Sequence, residues 1–299
     1  MTLEQPLDRA RVVLEGLSVG DALGERFGFH QPDITHFIPT RTLPAPPWKY
    51  SDDTNMALSI YENLRLYGEI NQDALVESLV THYDDNLDYN MTVTLVVNRV
   101  RRGEDWRAAA QALFDNEGSF GNSSAMRVGP IGAYFYDDLE QVKAQARLSA
   151  EPTNHHYEGI AGAVAVAVAV AVAWSMRSQR LNRQDFLTEV MEHTPPGAVR
   201  AGLRRARDLP TGTSMQDSVH ILGNGGRITA HDSVPFALWS AAKNIGNYEE
   251  ALWQTIRAGG DADTTCAIVG AVVAAYAGAN NIPAQWIKHR QPLPEWAIG

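Results

Sequence analysis

Alanine and valine alternate without interruption from Ala163 to Ala173, inside an apolar run that extends from Ile160 to Met176. A stretch with no polar face must be enclosed by something, either a membrane or the rest of the chain. It lies at or below the roughly 17-residue lower limit for a spanning helix, and its alanines make it less greasy than a typical span. Strict alternation also imitates a strand, because a period of two puts every valine on one face. Against a strand stand the helix propensity of alanine, the helical look of the neighbouring segments and a length beyond that of most strands. The expectation is a buried central helix, with a strand as the alternative.

The rest of the chain reads as helices separated by Gly and Pro. Asp8 to Leu23 carries the apolar stripe Val12, Val13, Leu17, Val19 and Leu23 and ends among small residues around Gly20 and Gly24, which predicts a first helix in close contact with a partner. Phe27 to Tyr50, with five prolines, predicts a loop, and MALSIYENLRLYG after Ser51-Asp52-Asp53-Thr54 predicts a helix. Helical periodicity recurs over 72–83, 92–101 and 106–114. It returns, after the Gly118 to Ser124 loop, in AMRVGPIGAYF and over 139–149, 183–193, 199–207, 234–244, 249–258 and 263–277. No strand ladder and no repeat of fixed period is evident. Although 299 residues could form one domain or two, a single all-α domain is the simplest reading.

Composition narrows the functional classes. A formal charge of −10 and the lack of basic runs interleaved with aromatics exclude a nucleic-acid partner as the expectation. The single cysteine, Cys266, sits in an apolar helix, which rules out an internal disulfide and a cysteine-based zinc cluster. The charged N-terminal stretch has no apolar core or cleavage pattern, so the chain reads as cytoplasmic and not membrane-bound.

Two stretches share one design. Ser51-Asp52-Asp53-Thr54 and Asp261-Ala262-Asp263-Thr264, the latter following Gly259-Gly260, each set acids and hydroxyls at the start of a helix. Taken singly, each is well explained by capping, since Ser, Asp and Thr satisfy free N–H groups and first-turn acids favour the helix dipole by up to roughly 1 kcal/mol. Taken together, four carboxylates in one cleft would repel one another unless cations neutralised them, and all-oxygen donors suit Mg²⁺ or Mn²⁺ rather than zinc. Spacing alone does not bring the two stretches together. An EF-hand is excluded, because counting from Asp261 puts Cys266 where glycine is needed and Val272 where the bidentate Glu belongs. Walker A, HExxH and GxSxG motifs are absent.

Five blocks in order, with a weaker sixth at Asp232–Trp239, carry a resemblance. They are Gly16–Gly24 (GLSVGDALG), Tyr50–Ala57 (YSDDTNMA), Gly121–Gly132 (GNSSAMRVGPIG), Thr153–Ala163, and Gly259–Thr264 (GGDADT). The chain resembles the ADP-ribosylglycohydrolase family over nearly its whole length. The resemblance implies an all-α fold in which the acidic helix starts converge on two divalent cations, Mg²⁺ or Mn²⁺, held by Ser51, Asp52, Asp53, Asp261, Asp263 and Thr264. It also implies an ADP-ribose site lined by Gly121, Asn122, Ser123 and Ser124, where backbone N–H groups can hold phosphate, with His155 and His156 contacting ribose or phosphate. Asn122-Ser123-Ser124 also spells a glycosylation sequon, discounted in a cytoplasmic protein.

The chain departs from the family at two places. Gly28 stands where the family usually has a glutamate implicated in activating water or substrate, and Glu25 lies nearly one helical turn away. Asn154 replaces the first of two expected histidines. The implied reaction is hydrolysis of the glycosidic bond at the distal ribose of an ADP-ribosylated protein or small molecule, with Glu25, or a metal-ligand aspartate such as Asp53 or Asp261, as general base. Two other readings are a catalytically silent ADP-ribose or nucleotide binder and a two-metal hydrolase of another ribosyl or phosphate compound.

Overall fold

Gly16, Gly20 and Gly24 recur every four residues along the first helix, Pro6–Glu25, and form a stripe with no side chains. A Cβ at Gly20 would stand 2.2 Å from the Cys266 carbonyl oxygen, and one at Gly24 would stand 2.4 Å from that of Ala262. A Cβ on Gly270, across the contact, would meet the Gly16 carbonyl at 2.2 Å. The first helix therefore lies backbone to backbone on the Ala262–Ala277 helix, the most extensive helix pairing in the fold. This is the close partner that the small residues predicted, and it brings the C-terminal turn of one helix beside the acidic start of the other.

The structure is a computed structural model that describes residues 5–28, 37–177 and 179–299. Among the described residues it has eighteen α-helices, one 3-10 turn and no β-strand. The Ala/Val run forms the helix Tyr157–Ser175, in which every residue from Ala161 to Trp174 is buried. The strand alternative is thereby discarded. This helix is long and apolar enough to cross a membrane, yet 89% of its apolar window is buried inside the protein. Helices 123–127, 129–134, 139–150, 183–193, 230–243 and 262–277 pack around it. Helices on all sides explain why its sequence shows no amphipathic stripe. One contiguous apolar core runs through these elements, with a small satellite of Val96, Ala109, Ala110 and Leu113.

The departures from sequence expectation have local causes. The helix from Trp106 stops at Gln111 rather than Phe114, because Phe114, Asp115 and Asn116 all take left-handed backbone angles. AMRVGPIGAYF forms two short helices, Ser123–Arg127 and Gly129–Tyr134, since Pro130 has no N–H to continue the first ladder and instead sits in the opening turn of the second. The helix at 234–244 begins four residues earlier, at Ala230, and holds Pro235 inside. A four-residue helix, Phe37–Thr40, interrupts the expected loop, while residues 29–36 of that loop lie outside the described residues. Helices Met215–Leu222, Ala284–His289 and Glu295–Ile298 had no periodic signal of their own.

Candidate active site

The Asp52–Tyr67 helix is capped twice at its start. Ser51 caps it from within, its Oγ accepting from the Asp53 N–H at 3.1 Å. Asp21, on the first helix, caps it from outside: its carboxylate accepts from the N–H groups of Ser51 (3.1 Å) and Thr54 (3.0 Å) and from the Thr54 hydroxyl (2.5 Å). The glycine stripe that seats the first helix therefore also sets the height of the 51–54 turn. With that turn placed, Asp53 Oδ2 receives the Ser51 hydroxyl at 2.9 Å and the Thr264 hydroxyl at 3.5 Å. The two acidic helix starts, 211 residues apart, share one carboxylate oxygen. The structure brings together what spacing alone could not.

Asp261 behaves differently from a capping residue. It occupies the N-cap position of the Ala262–Ala277 helix but makes no side-chain cap hydrogen bond. Its Oδ2 instead accepts from Asn122 Nδ2 at 2.6 Å, and the same amide nitrogen lies 2.9 Å from Ser233 Oγ. Its backbone is held from the other side, where its N–H donates to the Asn224 carbonyl at 3.2 Å and Gly225 packs on its Cβ, leaving no room for a side chain. Gly259 and Gly260 both adopt left-handed angles, the conformation that only glycine takes without strain, and so turn the chain into this position.

These residues open on a cavity of about 300 Å³ lined by Glu25, Asp52, Asp261, Asp263 and Thr264, with Gly28, Asn122, Met126, Ile228 and the 88–91 segment completing the wall. Burial, and then one another's charges, push the carboxyls of Asp52, Asp53 and Asp261 well above the usual carboxylate range. Burial likewise raises Asp21 to about 7 against the lowering effect of its Thr54 hydrogen bond. Glu25 rises to about 8 through burial and the neighbouring Asp263 and Asp21. No lysine or arginine is among the main influences on any of the five.

A concave, cation-hungry set of oxygens is suited in kind to hard divalent ions. Asp53 Oδ1 is buried with no hydrogen-bond partner, which leaves a full lone-pair acceptor for one. As the side chains stand, no group of three or more His, Cys, Asp or Glu among the described residues is already closed around an ion position. Two of the six oxygen donors, Ser51 and Thr264, are hydroxyls and fall outside such a grouping. The donors fit in chemistry and in convergence, and Ser51, Asp52, Asp53, Asp261, Asp263 and Thr264 could hold cations.

Other expected substrate residues lie off the cavity wall. The Ser123 hydroxyl donates to Asn154 Oδ1 at 2.9 Å and that of Ser124 to the Gly159 carbonyl at 3.1 Å, both buried. The Gly121 carbonyl accepts from Asn154 Nδ2 at 3.1 Å, and Gly121 bridges to Thr229. His156 caps the Tyr157–Ser175 helix, its Nδ1 accepting from the Glu158 N–H at 3.1 Å, and packs edge-on against Phe120; His155 is exposed. Asn154, the replacement for the expected histidine, thus organises the loop from inside. The sequon asparagine is buried with its amide engaged on Asp261. Sequence reasoning gave no role to Asp21 or Asp88. The signal for Asp21 was available, as an acid set among Val19, Ala22 and Leu23 in an otherwise apolar helix.

An all-helical fold built around paired acidic helix starts defines a class, and comparison with known proteins identifies it. The chain belongs to the ADP-ribosylglycohydrolase family, a family of hydrolases whose model matches residues 2–297. It is 28% identical to ADP-ribosylhydrolase ARH3 of Gallus gallus, over 94% of this chain and 88% of that one. It is 26% identical to ADP-ribosylarginine hydrolase Tri1 of Pseudomonas putida, over 96% and 76% respectively. Among solved structures, an ADP-ribosylglycohydrolase-related protein complex superposes with a TM-score of 0.71 at 21% identity, covering 97% of this chain and 94% of that one.

Proposed function

We propose that this chain is a two-metal, cytoplasmic hydrolase that removes ADP-ribose from an ADP-ribosylated protein side chain or small molecule by cleaving the glycosidic bond at the distal ribose. The observation that carries this reading is the convergence of Ser51 and Thr264 on one carboxylate oxygen of the buried Asp53, behind the acidic cavity that Thr264 lines. It is supported by the family and by the activities named for ARH3 and Tri1.

In this reading Ser51, Asp52, Asp53, Asp261, Asp263 and Thr264 hold two Mg²⁺ or Mn²⁺ ions. When bound, the ions supply Lewis-acid polarisation of ribose hydroxyls and of a water. Asp21 fixes the 51–54 turn and Asn122 aims Asp261. Glu25 lies at the cavity edge outside this ligand set. Its carboxyl, raised to about 8 by burial and by Asp263 and Asp21, would be returned to the carboxylate form by cations held next to it and could then take the proton of the attacking water, whereas a metal-bound aspartate is a weak base. The water oxygen bonds to the anomeric carbon as the bond to the acceptor breaks, and the proton taken by Glu25 passes to the departing acceptor, which restores the Glu25 carboxylate. The surrounding carboxylates favour the positive charge that develops on the sugar ring.

Gly28 explains why Glu25 can act. A Cβ at position 28 would meet nothing closer than 3.7 Å, and Glu25 Oε2 stands 4.0 Å from that point. The Glu25 carboxylate thus occupies the neighbourhood from which the family's usual glutamate would extend. Incubation with Mg²⁺ or Mn²⁺ and, in turn, ADP-ribosyl-arginine, ADP-ribosyl-serine and O-acetyl-ADP-ribose tests the reading. Release of ADP-ribose from at least one is expected; binding of all three without release would instead establish a silent binder.

A further inference from the structure

We propose that the concavity between the C-terminal end of the Arg183–His193 helix and the first turns of the Ala198–Asp208 helix is an anion site that binds a diphosphate group. It has a volume of about 340 Å³ and is lined by Met191, Pro196, Gly197, Arg200, Ala201 and Arg204, with no acidic side chain. Arg200 and Arg204 are four residues apart on one helix, so their side chains emerge on one face with Cβ atoms roughly 6 Å apart. Two guanidinium forks at that separation can each grip one of two linked phosphoryl groups, and their planar donor geometry matches phosphate oxygens.

Arg200 and Arg204 are set apart by the acid-free concavity they flank, since Arg102, Arg205 and Arg227 likewise have no side-chain hydrogen bond or ion pair among the described residues. In a chain of net charge −10, Arg11, Arg41, Arg147 and Arg290 are all engaged with glutamates at 2.6–2.9 Å. Arg200 and Arg204 have no hydrogen-bond or ion-pair partner among the described residues. The acid nearest in the fold to this helix start, Glu158, is not available to them. Its carboxylate is turned onto the backbone, accepting from the N–H groups of Ala198 and of Val199, the latter at 2.9 Å. Asp208, one turn beyond Arg204, is paired with Arg207 at 2.8 Å, and the nearby Arg204 charge adds to the lowering of its carboxyl. The helix that carries both arginines is also held rigidly, with Gly202 packed directly on the Pro235 ring. Two guanidinium groups without a hydrogen bond or salt bridge, Arg200 half-buried and Arg204 exposed, thus flank an open concavity bordered by Met191 and Pro196 on a helix fixed by its packing.

The site opens at the same end of the Tyr157–Ser175 helix as the acidic cavity. Glu158 is the second residue of that helix, His156 caps it, Phe120 packs on His156 with ring centres 5.4 Å apart, and Asn122, two residues on, lines the cavity. Two sources share the ligand chemistry: a second diphosphate on an extended ADP-ribosyl substrate seated in the cavity, or a free nucleoside diphosphate. The first source rests on the hydrolase reading; the anion site itself does not.

Inorganic pyrophosphate is the probe. Added to the full chain, it should protect Arg200 and Arg204 from an arginine-selective dicarbonyl reagent, mapped by mass spectrometry, while exposed Arg102 and Arg227 react unchanged. In calorimetry its affinity should fall at least tenfold in the Arg200→Gln/Arg204→Gln variant, with helical circular dichroism retained. Equal labelling with and without pyrophosphate, or wild-type affinity in the double variant, overturns the proposal. A rise in KM in the double variant for a substrate carrying two ADP-ribose units, but not one, identifies the extended substrate. Loss of ADP binding with both KM values unchanged identifies the free nucleotide. Because the labelling and calorimetry need no turnover, failure of the hydrolase reading leaves the anion site standing or falling by itself.

Discussion

Asp261 occupies the first position of a helix that it does not cap, and this separates function from helix stability at the level of one side chain. Because its carboxylate is turned away from its own backbone toward Asn122, Asp261→Ala should leave the helical circular dichroism close to wild type while abolishing Mn²⁺ binding in calorimetry and turnover with it. Collapse of the helical signal would return the residue to a capping role. Asn122→Ala leaves the ligands in place but frees Asp261, and outer partners of this kind are worth roughly 10- to 100-fold in metal affinity. A Mn²⁺ titration should show a loss in that range. Glu25→Gln keeps the size and removes the base; kcat should fall by about 10²- to 10⁴-fold with Mn²⁺ affinity little changed. Unchanged kcat would eliminate Glu25 as the base.

At the scale of elements, the site depends on two helix axes held at backbone contact. Gly20→Ala would place a methyl 2.2 Å from the Cys266 carbonyl, against rigid backbone rather than a flexible side-chain tip. The helices must part, at a cost of about 1–3 kcal/mol, visible as a lower Tm. Since Asp21 rides on one helix and Asp261 and Asp263 on the other, Mn²⁺ affinity should drop together with stability. The same elements show what was legible in advance. The apolar stripe of the first helix, its small-residue end, the Ser51 cap and the buried Ala/Val helix could all be read from periodicity and propensity, which are local. The end of the Trp106 helix at Gln111 could not, because three consecutive left-handed residues, none of them glycine, left no compositional mark. The start at Ala230 was equally hidden, because the apolar periodicity begins only at Val234 while the turn before it, Ala230 to Ser233, is mostly polar and is held in the helix by its packing.

For the molecule as a whole, the acidic centre makes stability depend on pH and metal together. The folded, metal-free chain raises Asp21 to about 7 and Glu25 to about 8 from ordinary values of 3.8 and 4.5. It therefore retains protons that the unfolded chain has already released. Stability is then greatest below about pH 4 as far as these two groups are concerned, and it declines as pH rises toward about 8. Thermal melts of the chelator-treated protein should show Tm falling across that window. Mg²⁺ or Mn²⁺ at about 100 times its dissociation constant should add roughly 2.7 kcal/mol and flatten the decline. A Tm independent of both pH and cation would contradict the assignment of this cavity as a metal centre.

The sequence by itself determined the helical class, the enclosure of the Ala/Val segment and the types of donor at the two helix starts, because each follows from interactions among residues close in the chain. Tertiary structure alone decided that the two starts share one oxygen of Asp53, that Asp21 caps a helix thirty residues downstream, and that Asn122 faces Asp261 whereas Ser123 and Ser124 face inward. These depend on the approach of the first helix to the Ala262–Ala277 helix, a contact between segments some 250 residues apart. A glycine stripe announces that such a contact exists, but its side-chain-free surface carries no label for the partner.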